Sequence, residues 1–95
     1  MRLVVGHLAR RDLQAIARYS EKEWGAARKA QYMAAIREKF SLLLLRPAIG
    51  APRNDIAPAY RSHPVGRHLI FYRVQKDSVI ILRVLHQRMD VRLHL

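Results

Sequence analysis

Residues 55–90, DIAPAYRSHPVGRHLIFYRVQKDSVIILRVLHQRMD, decide the fold. Two segments, His68 to Val74 and Val79 to His86, are dense in Ile, Val, Leu, Phe and Tyr, the residues that suit a pleated, half-buried surface. The polar run Gln75-Lys76-Asp77-Ser78 joins them, so they form a hairpin. With Lys76 and Asp77 at the tip, an antiparallel pair sets position 74 opposite 79, 72 opposite 81, 70 opposite 83 and 68 opposite 85. Alternation then separates two faces. Leu69, Phe71, Ile80, Leu82 and Val84 make an almost purely apolar face, expected to meet the core. His68, Ile70, Tyr72, Ile81 and Arg83 make the other, which mixes apolar groups with hydrogen-bond donors.

Working back from the hairpin, Tyr60 to His63 reads as a short strand turned into it through Pro64-Val65-Gly66, and residues 47–58 read as a Pro- and Gly-punctuated loop. Residues 8–24 show helical spacing through Leu13, Ile16, Ala17 and Trp24, and Gly25 sits where a helix C-terminus favours glycine. A second stripe, Ala30, Met33, Ile36, Phe40, Leu43 and Leu44, runs on to Leu45, where Pro47 disfavours helix at Arg46. Arg2 to Val5 is a short edge strand. The expectation is one α+β domain over residues 1–95: an N-terminal strand, and an antiparallel two-helix hairpin packed on a three- to four-stranded antiparallel sheet.

Ninety-five residues supply one modest core. No cysteine is present, which excludes thiolate metal sites and a cysteine nucleophile and suits the cytoplasm. No apolar run reaches the roughly 20 residues of a membrane-spanning helix. Eighteen Lys and Arg against seven Asp and Glu leave a net charge of +11, shared by both halves of the chain, so an anionic partner is expected.

The five histidines show no metal-binding spacing, and no cofactor is expected. The four glycines are isolated and build no phosphate loop; Asp12, Glu21, Glu23 and Glu38 read as helix surface. Arg61, His68, Tyr72, Arg83, His86 and Arg88 gather around the strands. Imidazoles that can act as acid or base, beside guanidinium groups that can hold a phosphate, would serve metal-free RNA cleavage. Tyr19, Tyr32 and Trp24 lie at the margins of the helical stripes, where a partner segment could cover them.

From end to end the chain carries Asp12-Leu13 with Ile16 and Tyr19, Trp24-Gly25, Tyr32, Pro47 with Gly50, Asp55-Ile56 with Pro58 and Arg61, Gly66, His68, Ile70-Phe71-Tyr72-Arg73, and the closing Arg83 to Asp90. In these residues it resembles the ParE branch of the RelE/ParE toxin superfamily. It implies a toxin of a toxin-antitoxin pair that binds and poisons DNA gyrase without catalysis of its own. A cognate acidic, ParD-like antitoxin would neutralise it in a hetero-oligomer and contact operator DNA on its behalf. The alternative is a RelE-like, ribosome-dependent endoribonuclease, but those nucleases usually have Arg where this chain has His68, and the tail Val91 to Leu95 lacks a tyrosine. Two further departures, Gly6-His7 for the usual Ser or Thr followed by Pro and Ala59 where Gly is common, fall at a cap and a turn. The expected target-facing residues are Arg61, His68, Arg83, His86 and Arg88. Those expected to lie under an antitoxin are Leu13, Ile16, Tyr19, Trp24, Tyr32 and Met33.

Overall fold

A computed structural model describes all residues, Met1–Leu95. The elements run β1 (Arg2–Val5), α1 (His7–Leu45), β2 (Ala51–Pro52), β3 (Tyr60–Val65), β4 (His68–Gln75) and β5 (Ser78–His86), followed by a 3-10 turn at Val91–Leu93. The strands make one five-stranded sheet in the order β1-β5-β4-β3-β2. The expected all-antiparallel sheet of three or four strands is corrected on two points. β1 pairs with β5 in parallel, Val4 beside Ile80. The loop after the helix contributes β2, which pairs with β3.

The hairpin forms, with a register that changes midway. Val74 faces Val79 and Tyr72 faces Ile81 as expected, but a bulge between Phe71 and Tyr72 then sets Phe71 opposite Arg83, Ile70 opposite Val84 and His68 opposite His86. One extra residue on β5 explains the shift. Without it, Arg83 would stand opposite Ile70; with it, Val84 takes that place. The expected core face is also corrected. Ile70, Tyr72, Val79 and Ile81, not Leu69, Phe71, Ile80 and Leu82, pack into the core with Ile16, Ile36, Phe40 and Leu43 of α1, and of the predicted set only Val84 joins them. Apolar residues on both faces make alternation unable to choose the inner one. Tyr72 can be fully buried because its hydroxyl donates to the Pro47 carbonyl at 2.7 Å and accepts the Gly50 N–H at 2.8 Å. Phe71 is buried on the opposite face, with the Arg53 guanidinium 5.3 Å above its ring.

The two expected helices are one helical element, α1, with a single non-helical residue, Gly25, at φ 87° and ψ 171°. A straight helix of 39 residues would be about 58 Å long, whereas the longest dimension of the molecule is 38 Å. The element therefore bends sharply at Gly25. Both of its arms reach the core, through Ala9 and Ile16 on one side of the bend and Ile36, Phe40 and Leu43 on the other. Glu21 and Lys29, eight residues apart across the bend, form an ion pair at 3.3 Å. The helix ends at Leu45, where the Arg46 N–H returns to the Leu42 carbonyl and Pro47 follows. Ala59, the residue at which the resemblance led to an expectation of glycine, has φ 69°.

The Gly25 conformation is one that only glycine adopts freely, and a Cβ there would meet nothing within 4 Å. Gly25→Ala should therefore cost about 1–3 kcal/mol through backbone strain alone. Urea unfolding measures this, and an unchanged midpoint would show that packing rather than glycine fixes the bend.

Candidate functional site

Where β1 stops at Val5, the next stretch of β5 has no strand beside it, and the first arm of α1 takes over that edge. Asp12 lies there. One carboxylate oxygen accepts the Val84 backbone N–H at 3.0 Å, and both oxygens receive the Arg83 side chain, Nε and Nη2 each at 2.8 Å. The Arg83 and Asp12 side chains are each only 13% exposed. The carboxylate beside it holds the Arg83 pKa above its ordinary value. Arg83 also donates through Nη1 to the His94 carbonyl, which ties the C-terminal tail to the same point. Asp12 is therefore not helix surface, as its position on the sequence had suggested. Its partner lies 71 residues away, so no local pattern could reveal it.

Arg61 is occupied in the same way. Its Nη1 donates to the carbonyls of Gly50 at 2.7 Å and Ala48 at 3.2 Å, fastening the loop after α1 beside the Tyr72 hydroxyl. Of the five residues expected to face a target, these two arginines hold the fold together, while Arg88 is exposed with its side chain unpaired. His68 and His86 face each other across β4 and β5, their rings 5.5 Å apart and edge to face.

Tyr32, from the second arm of α1, completes this cluster. Its hydroxyl lies 2.6 Å from His68 Nδ1 and 3.2 Å from the Val65 carbonyl, and it accepts the Arg67 N–H at 3.2 Å. The tight turn between β3 and β4 fits under the ring because residue 66 is glycine: a Cβ there would come within 2.6 Å of Tyr32 Cε1. Burial raises the Tyr32 pKa, so the phenol stays protonated and can donate to a neutral His68. Burial, and then the neighbouring His86, depress the His68 pKa, with Asp12 opposing them. His86 Nδ1 accepts the Arg88 backbone N–H at 3.2 Å.

A groove of about 810 Å³ opens above this cluster, between the two arms of α1 and the β4–β5 end of the sheet. Ile16, Tyr19, Trp24 and Tyr32 line it from the helix, and Gly66, Arg67, His68, His86 and Met89 from the sheet side. Tyr19 and Trp24 stack edge to face at 5.7 Å, and are 58% and 46% exposed. The groove thus joins four of the six residues expected under an antitoxin to two of the five expected to face a target. Leu13 and Met33 instead pack against the core, partly buried. Arg28, Arg67 and Met89 were not foreseen. Arg67 and Met89 follow recognisable neighbours, Gly66 and Arg88, but only the folded chain brings them to the groove. No three His, Asp or Glu side chains converge to hold a metal.

The fold, a bent helix on a five-stranded mixed sheet, has a counterpart among solved structures. A chain described as the chromosomal ParDE TA system from P. aeruginosa shares the fold at a TM-score of 0.79 and 24% identity, over 90% of this chain and 95% of that one. The pattern of the family described as "ParE toxin of type II toxin-antitoxin system, parDE" covers residues 3–91. The chain is 38% identical to Toxin ParE1 of Caulobacter vibrioides, over 92% of its own length and 90% of the relative's. It is 34% identical to Toxin ParE1 of Mycobacterium tuberculosis, over 95% and 93%. The chain belongs to the ParE toxin family of type II toxin-antitoxin systems.

Two measurements check the site. Asp12→Ala leaves a largely buried guanidinium and the Val84 N–H without their acceptor, and should cost about 3 kcal/mol of stability. Adding Arg83→Met should recover much of that loss, and an Asp12→Ala midpoint equal to wild type would show that the edge is held elsewhere. The folded protein also binds the His68 proton more weakly than the unfolded chain, whose value is near 6.5. This contribution to stability is therefore complete above about pH 6.5 and is lost as pH falls toward the lower folded-state value. His63, depressed by burial, acts in the same direction. Unfolding at pH 7.5 and pH 5 should show His68→Gln to be the less pH-sensitive protein; equal sensitivity would assign the loss to other groups.

Proposed function

We propose that this chain is a growth-arresting toxin that binds and poisons DNA gyrase, acting as a protein ligand rather than as a catalyst, and that an acidic, ParD-like antitoxin neutralises it. The observation that carries this reading is the groove. The exposed aromatic pair Tyr19 and Trp24 and the histidines His68 and His86 line one cavity. A segment seated on the aromatic pair would cover the histidines as well, so antitoxin and target would compete for the same place. The net charge of +11 favours an acidic segment and speeds its capture. A segment that folds on binding suits a groove lined by aromatic anchors. The target-facing residues are His68, His86 and Arg88, with Arg61 and Arg83 fixing the backbone that presents them.

One observation favours a second reading, a RelE-like ribosome-dependent endoribonuclease: two imidazoles 5.5 Å apart could share acid and base roles. Against it, two of the three guanidinium groups expected to hold the phosphate, those of Arg61 and Arg83, are engaged with protein acceptors, which leaves Arg88 alone. Purified gyrase, assayed for supercoiling and for trapped cleaved DNA, and translating ribosomes, assayed for mRNA cuts, separate the two. Lost supercoiling with accumulated cleaved DNA and intact mRNA is expected, and the reverse pattern would overturn the proposal. The double change Tyr19→Asp and Trp24→Asp should weaken antitoxin binding by about 30-fold or more, the loss of a typical hot spot. An unchanged dissociation constant would remove the groove from that interface.

A further inference from the structure

Seen along the first arm of α1, the side directly away from the core carries Arg11, Arg18 and Lys22. They are seven and four residues apart, about two turns and one turn of helix, so they form one straight ridge about 16 Å long. All three are exposed, and none has an ion pair or a side-chain hydrogen bond. Gln14 stands between them on that side; Leu8, Ala15 and Tyr19 flank the row on one side, and Glu21, paired with Lys29, on the other. The second arm has no such ridge: turned away from its buried Ile36, Phe40 and Leu43 are Gln31, Ala34 and Glu38.

We infer that this ridge is a docking surface for duplex DNA, contacting the phosphate backbone without reading sequence. Three unpaired cations in a row suit an evenly charged polyanion, and long Lys and Arg side chains reach phosphates from a rigid helix without close packing. A protein partner would bury apolar surface at the centre of its contact, and a membrane surface would need a broad apolar stripe beside the cations; the ridge itself carries no apolar group, and of the flanking Leu8, Ala15 and Tyr19 the last two line the groove. A single strand would need aromatic rings to stack on, and Tyr19 and Trp24 face the groove instead. The inference concerns contact by this chain itself rather than through an antitoxin, and it does not depend on which target the toxin inhibits.

Binding of the purified toxin to a fluorescent DNA duplex of random sequence, followed by anisotropy over a series of salt concentrations, tests it. The triple variant Arg11→Gln, Arg18→Gln, Lys22→Gln should lower the slope of log affinity against log salt by about 2–3, since each lost phosphate contact removes about 0.9. A control with equal charge loss elsewhere, Arg37→Gln, Arg46→Gln, Lys76→Asn, should keep the wild-type slope. Both triples lowering the slope alike would mean diffuse attraction by net charge and would overturn the ridge, as would a ridge variant with an unchanged slope. Tighter binding to single-stranded DNA or to double-stranded RNA than to duplex DNA would overturn the choice of ligand. Melting curves for both variants confirm that each is folded, because all six positions are solvent-exposed.

Discussion

The carboxylate of Asp12 is the constraint on which the rest of this structure hangs. β5 lies second in the sheet, beside the edge strand β1, yet its outer edge is covered by β1 only as far as Ile81. Beyond that point a strand edge would offer unpaired backbone donors, which proteins cover or blunt. Here one side chain from the helix closes the gap, taking the Val84 N–H and the forked Arg83 guanidinium together. The bulge in β5 makes this arrangement possible, because it puts Val84 rather than Arg83 opposite Ile70. From that anchor follow the seating of the first arm of α1, the attachment of the tail at His94, and the pairing of His68 with His86 at the end of the sheet.

The groove is a by-product of the same geometry. Gly25 turns the helix so that both arms lie near one end of the sheet, and Tyr32 bridges from the second arm to the β3–β4 turn. Its wall is therefore assembled from three separate stretches of sequence. At its floor the Tyr32 hydroxyl and His68 are hydrogen-bonded to each other, while the aromatic pair at its mouth is not covered by anything in the chain. An apolar rim above a satisfied polar floor provides adhesion at the rim and orientation at the floor.

Much of this could be read from the sequence. The hairpin, the short first strand, the helix end before Pro47 and the special backbone at Gly25 all have local causes, and local causes leave local marks. Even the departure at Ala59 marked a position whose backbone is left-handed. What was not legible was relational. The inner face of the sheet was misread because Ile, Leu and Phe occupy both sides, and the deciding fact, that the Tyr72 hydroxyl finds two backbone partners, belongs to a loop more than twenty residues earlier. Asp12 looked like surface, and Arg61 and Arg83 like free cations, because their partners are distant in sequence. The helical bend read as two helices, since a single residue outside helical geometry has the sequence signature of an end. The histidine pair and the aromatic residues were each singled out, but only the three-dimensional arrangement puts them in one groove.

The parallel pairing of β1 with β5 sets an order of events during synthesis. Residues 2–5 leave the ribosome well before their partners, 78–81. Asp12 waits as long for Arg83. Contacts so far apart in sequence close slowly, after nearly all of the chain is available. A nascent or truncated chain cannot complete the sheet, and with it the groove wall that β4 and β5 supply. Any partner that recognises the groove therefore meets the completed sheet or nothing, and the groove comes into being only after β5 has been made.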